Sequence, residues 1–234
     1  MQEKEFVEEL SLLGINITAD QLKKLNDFYK LLVEWNEKIN LTAIVEEQEV
    51  YLKHFYDSLT LIKAIDLTKD LSLCDVGSGA GFPGIVLKIV FPNLNITLID
   101  SLNKRVIYLN DIIEQLELSS IKAIHARMED YARDNQEKFD IITARAVTST
   151  QILSEICVKA LKIGGYLILM KGNCEEELES SSKCFKQLNL ELSDIHKFIL
   201  PIENSNRTLV VIEKIGKTDK AYPRSIDKIK KSPL

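Results

Sequence analysis

Apolar residues recur every three to four positions through the first third of the chain, then gather into short strand-like runs from about residue 70 onward. In the first part, Phe6, Leu10 and Leu13 share one helical face. Thr18 with Gln21 three residues later forms a capping-box start, and Leu22, Leu25, Phe28, Tyr29, Leu32 and Trp35 carry the apolar stripe of a second helix. After a break at Asn40-Leu41-Thr42, residues 54–65 again read as helix. The pattern predicts a helical cap over residues 1–66.

Beyond the cap, β-rich runs at 71–76, 95–100, 121–125, 139–143, 166–170 and 208–213, with a weaker one in 190–200, alternate with helical segments at 83–91, 103–116, 148–161 and 174–188. Alternation of this kind builds βαβ units. The expected fold class is therefore α/β: a mostly parallel, Rossmann-like seven-stranded sheet with helices on both faces, over residues 67–216. The acidic run at 175–179 is expected to be a solvated helix face near a positive helix start.

With 234 residues, 45% hydrophobic and 28% charged, the chain has ordinary globular composition and enough length to bury a core without cross-links. Cys74, Cys157, Cys174 and Cys184 show no metal or disulfide spacing, so reduced thiols are expected and no metal site is nominated. The N-terminal segment lacks a signal peptide's basic and apolar regions, and no run is long and apolar enough to span a membrane. The expected location is cytoplasmic. Net charge of −5 argues against a protein that coats nucleic acid by bulk charge, and no DNA partner is expected. The charge is unevenly divided, however: residues 214–234 carry a net +5, leaving −10 on the rest. The acidic body therefore carries a basic tail, residues 217–234.

The segment Asp75-Val76-Gly77-Ser78-Gly79-Ala80-Gly81-Phe82-Pro83-Gly84 falls where the first strand gives way to a helix. Glycines there permit positive φ and close ligand approach, and a helix start offers free N–H donors. Ligands of open α/β sheets bind at such strand ends. Gly79-x-Gly81-x-x-Gly84, with Asp100 ending the second strand, satisfies the dinucleotide pattern, so an NAD-dependent oxidoreductase stays open on this motif alone. Asp75 at the strand end, Phe139-Asp140 in the fourth strand and Leu161-Lys162-Ile163-Gly164-Gly165 before the fifth shift the balance to S-adenosylmethionine (SAM), because a strand-end carboxylate suits a sulfonium cation. This series resembles the class I SAM-dependent methyltransferases.

Within that class, Trp35-Asn36-Glu37-Lys38-Ile39-Asn40-Leu41-Thr42, His54-Phe55-Tyr56-Asp57-Ser58-Leu59, the Gly77–Gly84 loop, Arg145-Ala146-Val147 and Lys171-Gly172 resemble the bacterial ribosomal RNA small-subunit methyltransferase G family, also called glucose-inhibited division protein B, over nearly the whole chain. The resemblance implies methylation at N7 of a guanine in the decoding-region loop of 16S ribosomal RNA, with the small subunit as partner. It implies SAM contacts at Gly77, Gly79, Phe82, Met128, Glu129 and Arg145, with Asp100 the ribose ligand by position. The family commonly has Ala where this chain has Met128, and Asp227 and Ile229 stand where its tail usually has Gly and Pro. A SAM enzyme with another substrate is the alternative.

Guanine N7 carries a lone pair and no proton, so no catalytic base, nucleophile or metal is nominated. Arg145 is expected to face RNA phosphate, guanine O6 or the SAM carboxylate. His54 and Asp57 lie one helical turn apart and read equally as a local pair. Trp35 and Tyr29 are expected in the core, His125 and His196 as structural residues, and Arg207 and Lys171 as possible RNA contacts. With RNA as the implied substrate, the basic tail is expected to grip RNA phosphate, so that truncation after Gly216 weakens RNA methylation and leaves SAM affinity unchanged. A monomer is expected.

Overall fold

The computed structural model describes residues 1–234. Helices α1 (Glu3–Leu12) and α2 (Ala19–Ile39) each start in a capping box, Gln2 with Glu5 and Thr18 with Gln21. Each box satisfies two helix-end N–H groups that would otherwise lack partners. The next helical segment begins before residue 54 and changes pitch along its length. It runs from α3 (Glu47–Glu49) through a π-helical stretch at Val50–Tyr56 and α4 (Asp57–Leu59) into a 3-10 turn at Thr60–Lys63. The π turns matter because they turn both His54 and Asp57 inward, leaving each buried.

Seven strands follow: β1 (Ser72–Val76), β2 (Asn95–Asp100), β3 (Ile121–His125), β4 (Phe139–Arg145), β5 (Leu161–Lys171), β6 (Leu190–Ile199) and β7 (Asn206–Lys214). Their order is β3-β2-β1-β4-β5-β7-β6, with β7 antiparallel to both neighbours. Between them lie α5 (Gly84–Val90), α6 (Asn103–Gln115), α7 (Met128–Asp134), α8 (Thr150–Cys157) and α9 (Glu175–Leu188). The direction of winding reverses between β1 and β4, which opens the crevice where ligands of such sheets bind.

Three elements depart from the pattern reading. Helix α7 is too short for its two turns to show a period, and only its acidic first turn, Glu129 and Asp130, marks it. Residues 161–165 belong to β5, with a register shift between Phe139 and Ile141 that accommodates the Gly-Gly turn. The tail contains a helix, α10 (Ile226–Lys231), with Ile229 fully buried.

Two apolar clusters flank the sheet. One joins the N-terminal helices to α5 and α6, through Phe6, Leu25, Phe28 and Phe55 against Ile85, Leu98 and Tyr108. Burying each such side chain contributes about 1.5–3 kcal/mol. Phe28 stacks on Phe55 at 5.7 Å and meets Phe82 at 5.4 Å, so the cap presses directly on the glycine-rich loop. The other cluster packs α7, α8, α9 and α10 on the opposite face, through Met128, Leu153, Phe185 and Ile229. The four cysteines are buried and unpaired. No helix is long and apolar enough to cross a membrane. Trp35 is half-buried and donates to Asp111 Oδ2 at 2.7 Å, fastening α2 to α6.

Candidate functional site

The loop after β1 is shaped by contacts that only glycine allows. Gly77, Gly79 and Gly81 have φ of 69°, 55° and 91°. A Cβ at Gly84 would lie 2.3 Å from Leu98 Cδ2 and 2.8 Å from Asp75 Oδ2. Asp75 lies beneath this loop, fully buried, and its Oδ2 accepts from the Gly84 N–H at 2.9 Å while Oδ1 has no partner. Burial lifts its carboxyl to about 6, against the lowering effect of the Gly84 bond. The carboxylate therefore holds the start of α5 and does not line either cavity described below, in contrast to the direct sulfonium contact expected from its position.

Two cavities open at the carboxyl ends of the central strands. The smaller, about 120 Å³, is lined by Gly77, Met128 and Glu129 together with apolar Val76, Ile99 and Ile156. Glu129 is 5% exposed, and its Oε1 has no hydrogen-bond partner; the nearest cation, Arg127 Nη1, stands 3.9 Å away. A small, mostly apolar cavity with one unmet acceptor suits an adenine-type ring bearing an amino donor. Met128 is buried, so its longer side chain narrows this slot.

Asp100, Gly79 and Phe82 line neither cavity. Asp100 accepts from Gly79 N and Leu102 N, both at 2.9 Å, and so ties the glycine loop to the end of β2. Phe82 stacks its ring on His54 at 4.3 Å, with the Arg145 guanidinium 5.2 Å from its centroid.

The larger cavity, about 710 Å³, lies at the ends of β4, β5 and β7. Its charged lining comprises Lys53, Asp57, Arg145, Lys171, Glu177, Glu203 and Arg207. Val147 belongs to both cavities, and its Cγ2 would meet a Cβ at Gly77 at 2.8 Å. One side chain thus forms the partition between them.

Arg145 is fixed from within the protein. Its Nη1 donates to Lys53 O at 2.9 Å and Asp57 Oδ2 at 3.0 Å, and its Nη2 donates to His54 Nδ1 at 3.2 Å. Nδ1 also lies 3.2 Å from Lys53 O, but arginine only donates, so the Arg145 contact favours the tautomer with the lone pair on Nδ1 and Nε2–H donating to Thr42 Oγ1 at 3.0 Å. Burial and the neighbouring Arg145 charge push the His54 pKa down to about 3, so the ring is neutral. Thr42 is placed in turn by Asn36 Oδ1, which accepts from Leu41 N at 2.6 Å and Thr42 N at 2.9 Å. His54 and Asp57, readable as a mere local pair, therefore converge on Arg145.

Lys171 is likewise paired, with Glu177 at 2.8 Å, and Glu177 also accepts from Thr150 N. The 175–179 run is accordingly not a plain solvated face. Burial pushes the Glu177 carboxyl up, but these bonds outweigh it and hold the pKa below the usual value. His125 and His196 stay outside both cavities, His125 bonded to Ser101 O and His196 to Asp194. The sequence reading assigns no role to Lys53 and names Val147 only within the Arg145-Ala146-Val147 motif; the helical spacing of Lys53 to Asp57 and the adjacency of Val147 to Arg145 were the available signals.

Comparison with known proteins shows the family and the fold. The family described as "GidB: rRNA small subunit methyltransferase G" matches residues 21–209. The chain belongs to the rRNA small subunit methyltransferase G family. It is 45% identical over 237 residues to the family protein of Bacillus subtilis, covering 100% of this chain and 99% of that one. It is 46% identical to that of Staphylococcus saprophyticus, covering 97% and 96%. Among solved structures, a SAM-dependent methyltransferase from Aquifex aeolicus aligns with a TM-score of 0.52 at 18% identity, over 78% of this chain and 98% of that one. That likeness concerns the fold: a class I methyltransferase sheet, which in this family member carries the added helical cap.

Proposed function

We propose that this protein transfers a methyl group from SAM to N7 of a guanine in the 16S ribosomal RNA of the small subunit. The observation that carries the reading is the pair of cavities parted by Val147: a small one with an unmet acceptor beside the glycine loop, and a large polar one beside Arg145 and Arg207. Membership of the rRNA small subunit methyltransferase G family supplies the class of acceptor.

SAM, when bound, supplies a methyl group activated on a sulfonium. Gly77 leaves room for its approach, Met128 and Glu129 hold the adenine, and Asp100, through Gly79, keeps the loop shaped for the ribose. Phe82 braces the loop from below, and Asp75 supplies negative potential for the cationic end across the loop. Guanine N7 needs no deprotonation, so the chain's work is alignment and exclusion of water. Fixing two reactants in line is worth about 7–11 kcal/mol. Positive charge passes to the purine during transfer, so Arg145 close to the methyl would oppose it if unpaired; Asp57 offsets that charge. On this reading the protein acts as a monomer, in the cytoplasm where small subunits assemble.

Titration with SAM, S-adenosylhomocysteine and NAD, followed by label transfer from methyl-labelled SAM to undermethylated small subunits, tests this. SAM binding and label in the RNA are expected. NAD binding without SAM binding, or label in protein alone, overturns the reading.

A further inference from the structure

Asp57 is 5% exposed, and each of its oxygens holds an arginine from a distant strand. Oδ2 accepts from Arg145 Nη1 and Oδ1 from Arg207 Nε, both at 3.0 Å. Arg207 spends two more donors nearby: its Nη1 donates to Ser205 Oγ at 3.0 Å and to Asn206 O at 2.9 Å. Of its five N–H groups, only the two on Nη2 remain. The lysines of the cavity are committed as well. Lys171 is paired with Glu177, and Lys53 with Glu49 at 2.7 Å and Glu203 at 3.3 Å. Arg207 lines the 710 Å³ cavity and also a neighbouring one of about 240 Å³, so it stands where the two meet.

A free arginine reads guanine by donating from two nitrogens, one to O6 and one to N7. On an enzyme that methylates N7 this recognition defeats itself, because a lone pair covered by an N–H cannot attack. We propose that Arg207, held by Asp57, reads the target guanine at O6 through Nη2 alone, selecting guanine while leaving N7 open. The inference rests on the guanine-N7 reading given above. Adenine presents an amino donor where guanine has O6, so the same Nη2 rejects it. Asp57 is the positioning residue: it occupies Nε, closing the Nε/Nη2 fork, and keeps the two-arginine group at a net charge of +1. As transfer proceeds, the N7–CH3 bond forms and the S–CH3 bond breaks, with the bonding pair left on sulfur and the positive charge moved to the purine. No proton is moved, and the Nη2–O6 contact persists throughout.

The test uses small subunits assembled with RNA in which the target guanine is replaced by 7-deazaguanine, which keeps O6 and lacks N7, or by 2-aminopurine, which keeps N7 and lacks O6. The wild-type protein should bind the 7-deazaguanine subunit within about twofold of guanine without methylating it, and the 2-aminopurine subunit roughly ten- to hundredfold more weakly, the worth of one charge-assisted hydrogen bond. Arg207→Met should bind guanine and 2-aminopurine subunits alike. Asp57→Ala, which removes the acceptor and opens the fork, should lower kcat while KM stays or falls. A roughly tenfold loss with 7-deazaguanine, the mark of a two-nitrogen contact, overturns the proposal. So does discrimination retained in Arg207→Met, or unchanged kcat in Asp57→Ala. Methylation of the 7-deazaguanine subunit instead overturns the N7 reading itself. The wild-type measurements decide the matter even if a variant fails to fold.

Discussion

Arg224 clasps Glu155 with two nitrogens, Nε to Oε1 at 2.7 Å and Nη2 to Oε2 at 2.6 Å, and Glu155 is fully buried within α8. The same stretch of tail accepts from Arg133 on α7 through Pro223 O and Arg224 O, at 3.3 and 3.2 Å. The tail thus straps together the two helices, α7 and α8, that supply Met128, Glu129 and Ile156 to the small cavity. Arg224 is committed to the body of the protein, which runs against a tail acting on RNA alone.

Arg224→Ala is therefore expected to destabilise the protein by about 3–5 kcal/mol, the cost of leaving a buried charge unpaired, and truncation after Gly216 to weaken SAM binding. Arg224→Ala combined with Glu155→Gln should recover most of the loss. Thermal unfolding and SAM titration check this. Unchanged SAM affinity in the truncated protein would restore the tail to a purely RNA-facing role.

His54 makes stability depend on acid. Its native pKa of about 3 lies below the unfolded value of 6.5, so below 6.5 the unfolded chain takes up a proton that the native chain refuses. The contribution is complete above about 6.5 and is lost progressively as pH falls toward 3. His54→Gln should flatten that slope in denaturant midpoints measured from pH 7 to 4; an identical slope in the variant would contradict the buried neutral ring.

Asp75 has the opposite sign. Its native pKa of about 6 lies above the unfolded 3.8, so ionisation costs stability as pH rises through that window. Asp75→Asn should keep the Gly84 bond and raise stability at pH 7. It should also weaken SAM binding, since the cationic ligand favours the ionised carboxylate. Wild-type affinity for SAM should fall as pH drops below about 6, and calorimetry of Asp75→Asn should show no such fall. A parallel fall in both would remove Asp75 from the cofactor's electrostatics.

Gly84→Ala tests the loop's packing. The added methyl meets Leu98 and Asp75 well inside contact distance, so a loss of about 1–3 kcal/mol is expected from overpacking. An unshifted melting temperature would show that the start of α5 yields freely.

The strands were legible because Leu73, Ile96, Ile141 and Ile168 sit in short apolar runs bounded by turns, and the glycine loop because positive φ leaves a glycine signature. What the pattern did not show depends on contacts between distant residues. Nothing near Asp57 announces Arg207, 150 positions away, and the π turns that bury His54 leave no period of their own. Glu155 and Arg224 look like ordinary surface charges until α8 and the tail are brought together.

The central claim is tested most directly by incubating the protein with SAM and undermethylated small subunits, then mapping the modified base by the strand scission that N7-methylguanine permits. A single new cleavage at a guanine of the decoding-region loop, dependent on SAM, is predicted. A methyl group on another atom, or on no RNA base, would contradict it.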